Sequence, residues 1–283
     1  MLRPESRTTS IDSSENVSLF ARIESPRQAR GCIVITHGFG EHSGRYEKLA
    51  ERFADMNLAV VRYDMRGHGR SQGKRGHASS YDMYLNDLGL AIDLAREHNT
   101  ILPTFIFGHS MGGALVLNYA LRRANKLNGV IASGPWLRLA FAPPAWKSWV
   151  AHRIARALPS FSMPTNLDIT KLSHDPEVIK SVEGDALTSN VISAAAYTGL
   201  VAAGEYALAH AATLKFPLML MHGSADAITD IRASEAFFAA AGSSDKTFKA
   251  WPGMYHETLS EIDSAPVYQA IVDWLETRLP PTA

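Results

Sequence analysis

Residues 108 to 112 read Gly-His-Ser-Met-Gly, inside the stretch FIFGHSMGGALVL. An apolar strand-like run ends at Phe107 and a helix-period run begins near Met111, so Ser110 must occupy a sharp strand-to-helix turn. Gly108, Gly112 and Gly113 lack the Cβ atoms that would obstruct it. Such a turn lifts a hydroxyl clear of the sheet edge and sets it beside the unbonded amides of the helix's first turn. The arrangement exposes a nucleophile. A glycine-rich phosphate cradle would use similar glycines, but no lysine follows as in a P-loop.

A serine hydroxyl is a poor nucleophile unless a base removes its proton and a carboxylate orients that base. Of eleven histidines, His256 stands out. It lies in the loop PGMYHE, after the last strand-like run and before the final helical one, where an imidazole can reach across strand ends. His37 and His109 flank the serine and read as residues that bond backbone and shape the site. His68, His77, His152 and His174 read as loop or surface residues. HGSADAITD offers Asp226 and Asp230; Asp226 is nearer the strand end, whereas Asp230 suits the cap of the helix that follows. The order Ser110, Asp226, His256 is that of α/β-hydrolases. The oxyanion would be held by the backbone N–H groups of Met111 and Phe39.

The elements that must position these residues follow from hydrophobic pattern. Unbroken apolar runs (GCIVIT, LAVVRYD, PTFIFG, NGVIASG, PLMLMHG and KTFKAW) suit strands covered on both faces of a parallel sheet. Between them, segments such as RYEKLAERFADMN, YDMYLNDLGLAIDLAREHN and APVYQAIVDWLETRL carry helical spacing. The chain is therefore an α/β fold, a mostly parallel central sheet flanked by helices. From Trp136 to about Ala212 no convincing strand interrupts a segment rich in Trp, Phe, Ala and Pro. It reads as a helical cap, residues 136–212, inserted after the sixth strand between core segments 1–135 and 213–283. Trp146, Trp149 and Phe161 are its apolar candidates for lining the site.

The 28 basic residues balance the 28 acidic ones, which gives no field to draw the chain onto nucleic acid. Cys32 is the single cysteine, so no intramolecular disulfide can form. The N-terminal residues carry no apolar signal region, and the chain reads as cytoplasmic. GHGRSQG fails the dinucleotide fingerprint, because Gln72 stands at the third glycine position. Glu41 and His42 lack the spacing of a zinc helix, so neither cofactor nor metal is expected. Basic residues Arg138, Lys147, Arg153 and Arg156 alternate with Leu137, Phe141, Trp146, Trp149 and Ile154. That pattern fits either transient membrane or micelle contact through the cap, or a cap helix packed over the site. Nothing in the sequence assigns an oligomeric state.

HGFGEHSGRYEKLAERFA, YDMRGHGRSQG, GHSMGGAL, HGSADAITD and YHE, in this order, resemble the successive signatures of the monoacylglycerol lipase family of serine hydrolases. The resemblance covers nearly the whole chain. It implies an α/β-hydrolase with a helical cap, no cofactor, and single-chain glycerol esters as substrates. It implies Ser110, Asp226 and His256 as the triad, with Phe39 and Met111 giving the oxyanion amides. Glu41 and Arg45 match positions that help build the polar pocket near glycerol in that family, though a salt bridge bracing the loop would also account for them. His109 joins them as a substrate-side candidate. One departure is Leu259, which stands where mammalian members carry a second, glycerol-binding histidine.

Overall fold

A computed structural model describes residues 5–97, 101–124, 126–141 and 153–281. Its strands are β1 (Glu5–Asp12), β2 (Ser18–Ser25), β3 (Gly31–Thr36), β4 (Leu58–Tyr63), β5 (Thr104–His109), β6 (Gly129–Ser133), β7 (Ser162–Pro164), β8 (Val191–Ser193), β9 (Leu218–Gly223) and β10 (Lys246–Trp251). The named helices are α1 (Glu47–Asp55), α2 (Tyr81–Arg96), α3 (Met111–Arg122), α4 (Pro176–Glu183), α5 (Ala194–His210), α6 (Ile231–Ala240) and α7 (Ala265–Glu276). The main sheet has the order β1-β2-β4-β3-β5-β6-β9-β10. Its pairs from β4 to β10 are parallel, while β1 and β2 join one edge antiparallel.

Every residue of β3, β5, β6 and β9 is buried, which is why these strands read as continuous apolar runs. Alternate residues divide between two cores. Val34, Ile106, Ala132 and Leu220 pack with residues of α2, α3 and α6. Ile33, Phe107, Ile131 and Met221 pack with residues of α1 and α7. Cys32 lies on the first of these faces, fully buried, with Sγ 3.4 Å from Thr104 Oγ1, and burial pushes its thiol pKa up. Among the described residues, no helix is long and apolar enough to cross a membrane.

Three features depart from the sequence expectation. β1 and β2 are strands where none was expected; β1 is mostly exposed, so it carries little apolar signal. β5 continues past Phe107 to His109, because Gly108 and His109 still pair with Ala132 and Ser133 of β6. In the segment expected to carry no strand, β7 and β8 form an antiparallel ribbon of three residues each. The helices α4 and α5 accompany it, capped by the side chains of Asp175 and Ser193. The segment is tied to the sheet-end loops by Ser189 N to Gly40 O (2.7 Å) and Ser193 N to Gly76 O (3.0 Å). His42 Nε2 and Asp185 Oδ2, 2.7 Å apart, add a side-chain tie.

β3 has β4 on one side and β5 on the other, so the chain diverges from the carboxyl end of β3 and leaves a crevice there. The loops after β3, β5, β9 and β10 converge on it.

Candidate active site

Ser110 takes φ 54° and ψ −116°, a left-handed backbone that a non-glycine residue rarely adopts. Three backbone bonds hold it there. Ser110 N donates to Ser133 O (2.9 Å), while Trp136 N and Ala114 N donate to Ser110 O (2.9 and 3.0 Å). Helix α3 can begin at once because a Cβ on Gly112 would lie 2.3 Å from Thr36 O, and one on Gly108 would lie 2.2 Å from Gly112 O. Only glycine allows helix and strand ends to approach so closely. Met111 follows Ser110 as the first residue of α3. The loop after β3 passes on the other side, since a Cβ on Gly38 would lie 3.2 Å from Ser110 Cβ. His37 pins that loop: its Nδ1 donates to Gly38 O (2.7 Å) and its Nε2 accepts from Met65 N (2.9 Å). The Phe39 amide is therefore carried on a braced turn.

Asp226 and His256 meet across the ends of β9 and β10. His256 Nδ1 lies 2.7 Å from Asp226 Oδ2. The other carboxylate oxygen accepts from Ile228 N (2.8 Å) and Thr229 N (3.0 Å). Oδ2 also accepts from Thr229 Oγ1 (2.8 Å) and lies 3.1 Å from His222 Nε2. Because His222 Nε2 also faces Thr229 O at 3.2 Å, two acceptors surround it and it carries the proton. Burial opposes ionisation of Asp226, yet the His256 and His222 rings and these hydrogen bonds hold its carboxyl well below the usual range. Burial likewise opposes the His256 imidazolium, but Asp226 outweighs it, with help from Glu257 and Glu41, and raises the pKa above its ordinary value.

His109 is buried, its Nδ1 3.1 Å from Ser133 O and its ring centroid 4.6 Å from that of His256. Burial and the His256 charge lower its pKa to about 3, so it stays neutral. Glu41 does the bracing that was one of its two expected roles: Oε1 accepts from Gly38 N (2.5 Å) and Tyr46 Oη (2.7 Å), and Oε2 from Arg45 Nε (3.0 Å). Arg45 Nη2 then donates to Glu257 Oε2 at 2.7 Å. Burial works against the Arg45 charge, but the Glu257 and Glu41 carboxylates more than offset it and hold the guanidinium pKa above its ordinary value.

A cleft of about 1100 Å³ runs over Ser110 and His256, walled by apolar residues that include Trp136, Leu139, Phe141, Ile154, Met163 and Ile228. A side pocket of about 20 Å³, room for roughly one water, opens beside it. Glu41, Arg45, His109 and Glu257 line both.

Some expectations need correction. His68 lies in a loop, one of the two expected settings, but it is fully buried there, its ring tilted against His37 and edge-on to Phe39. Phe161 is 46% exposed and does not line the cleft. Trp146, Lys147, Trp149 and His152 lie outside the described residues. Asp230 caps α6 by accepting from Arg232 N. His222, Thr229 and Glu257 were not singled out from the sequence. His222 and Asp226 stand four residues apart in HGSAD, and Glu257 follows His256 directly, so the adjacency was visible although the contacts were not.

A mostly parallel sheet with a strained serine after β5 and an aspartate–histidine pair after β9 and β10 defines an α/β-hydrolase. The Hydrolase_4 family, described as serine aminopeptidase, S33, matches residues 27–263, and the chain belongs to it. The monoacylglycerol lipase of Mycolicibacterium smegmatis is 31% identical over 251 residues, 88% of this chain and 89% of that protein. The human monoglyceride lipase is 31% identical over 272 residues, 92% of this chain and 87% of that protein. An uncharacterized abhydrolase domain-containing protein of Dictyostelium discoideum is 32% identical over 97% of this chain, which spans only 29% of that longer protein. Among solved structures, the Paleococcus ferrophilus monoacylglycerol lipase superposes with a TM-score of 0.84 at 32% identity, covering 97% of this chain and 99% of that one.

Proposed function

We propose that the protein hydrolyses monoacylglycerols to glycerol and fatty acid through an acyl-enzyme on Ser110. It is a carboxylic ester hydrolase. The single observation that carries the mechanism is the 2.7 Å contact between His256 Nδ1 and Asp226 Oδ2, at the rim where Ser110 lines the same cleft. With Nδ1 held protonated, Nε2 is the free base: it takes the Ser110 proton as Oγ attacks the ester carbonyl, then delivers it to the departing glycerol oxygen. Water enters, gives its proton to the same nitrogen and releases the acid. Asp226 fixes the ring and offsets its transient charge. Backbone N–H groups of Phe39 and Met111 hold the oxyanion, and residues 136–212 act as the cap. The apolar cleft takes the acyl chain, which supports a single-chain lipid ester, and relatives named monoacylglycerol lipase support the glycerol.

The same triad would serve a broader carboxylesterase or a lysophospholipase, and a relative of 30% identity in Bacillus subtilis is named phospholipase YtpA. Initial rates on 1-monooleoylglycerol, p-nitrophenyl butyrate, lysophosphatidylcholine and an amino-acid p-nitroanilide separate these from one another and from an aminopeptidase. Preference for any but the first overturns the substrate assignment. Ser110→Ala is expected to lower kcat by roughly 10⁶. Retained hydrolysis in that variant would reject the nucleophile, and failure of a fluorophosphonate to label wild type would leave a binding protein on the hydrolase scaffold.

A further inference from the structure

The polar end of the cleft carries two buried carboxylates and one guanidinium. Side-chain exposure is 11% for Glu41, 13% for Arg45 and 11% for Glu257. Glu41 has three hydrogen-bond donors around it, as described, and is fixed in the loop beside Ser110. Glu257 enters from the opposite side, on the residue after His256, and bonds Arg45 through one oxygen. The cluster therefore has a formal charge of −1, and neutral His109 adds nothing to it. Along the whole cleft, the described lining residues hold four carboxylates, Glu41, Asp168, Glu183 and Glu257, against two cations, Arg45 and Lys171. Charges this buried are weakly screened by solvent ions, so a like charge placed a few ångströms away is felt strongly.

We infer that Glu257, through the net negative charge it gives the Glu41–Arg45 cluster, is a specificity-determining residue that rejects esters whose alcohol portion is anionic. The inference rests on the ester-hydrolase reading above. A glycerol leaving group meets the cluster with hydroxyls, which can donate to either carboxylate. A 3-phosphoglycerol leaving group carries its phosphate three carbons from the reacting oxygen and meets two carboxylates. Arg45 already directs Nε and Nη2 to Glu41 and Glu257, so it cannot turn those donors to the phosphate without abandoning a buried carboxylate. Selection thus works by repulsion of the wrong alcohol as well as by attraction of the right one.

The test compares kcat/KM for 1-oleoylglycerol and 1-oleoylglycerol 3-phosphate, identical but for the phosphate, in wild type, Glu257→Gln and Glu257→Asp. Taking the ratio within each protein cancels differences in active fraction. Wild type is expected to favour the neutral ester by at least about tenfold; Glu257→Gln narrows that ratio about tenfold, and Glu257→Asp keeps it. An unchanged ratio in Glu257→Gln, or no preference in wild type, overturns the inference while leaving glycerol ester hydrolysis intact. If wild type cleaves neither ester, the ester-hydrolase reading falls, and the charge filter is read instead from protection of Ser110 against a fluorophosphonate. Glycerol should then protect wild type better than glycerol 3-phosphate does. Equal protection overturns the filter without any variant having to fold.

Discussion

Asp226 Oδ2 is approached by His256, Thr229 and His222 within 3.1 Å, while Oδ1 receives two backbone amides. So many donors make the carboxylate a fixed negative point, and although burial opposes the His256 imidazolium, that charge and its hydrogen bond bring the pKa above its ordinary value. The sign of the pH dependence follows. In the proposed mechanism attack needs His256 unprotonated, and Asp226 outweighs burial to raise the imidazole pKa above its ordinary 6.5. The acidic limb of kcat/KM is therefore expected above pH 6.5, with activity rising as His256 loses its proton. Asp226→Asn should move that limb downward, because the charge holding the proton is gone, and should lower kcat by about 10⁴ through loss of the correct tautomer. A pH–rate profile of both proteins checks this; a limb that stays in place would mean that Asp226 does not govern the base.

At the scale of elements, the turn between β5 and α3 stores strain at Ser110. A left-handed non-glycine residue costs about 1–3 kcal/mol, and glycine gives back about 0.5–1 kcal/mol through its looser unfolded chain. Ser110→Gly should therefore be inactive yet more stable by about 1 kcal/mol, seen as a higher urea midpoint with an unchanged slope. A lower midpoint would show that the hydroxyl contributes more to folding than the turn costs. This turn was legible in the sequence because glycines at positions 108, 112 and 113 surround a serine between a strand-like and a helical run, with no lysine following as in a P-loop. The central strands were legible for a similar reason: covered on both faces, β3 and β9 contain almost nothing polar. β1 was not legible, since only Ile11 of its eight residues is buried. β2 does alternate buried Leu19, Ala21 and Ile23 with less buried neighbours, a signal short enough to pass unnoticed. Thr229 bonds Asp226 only three residues back, whereas the contact of Glu257 depends on Arg45, 212 residues away, which spacing along the chain does not encode.

At the scale of the molecule, the described residues between β6 and β9 leave Phe141, Leu158, Phe161 and Met163 between 46% and 61% exposed. Phe141 and Met163 also line the cleft, so the apolar surface continues from its wall to the outside. A lipid aggregate touching this face would offer its chains directly to the cleft. Replacing Leu158 and Phe161 together with Asp should reduce hydrolysis of monoacylglycerol presented in vesicles about threefold to tenfold. Turnover of soluble p-nitrophenyl butyrate should stay near wild type. Equal losses on both substrates would assign the two residues to the fold instead.

Burial of the sole thiol has a practical consequence. Cys32 is inaccessible beneath α2 and α3 and is held largely un-ionised by its surroundings, so maleimides and iodoacetamides find nothing to alkylate in the native protein. Met163→Cys would then supply the one reactive handle, and a fluorophore attached there would report on the cleft entrance without background from the rest of the chain.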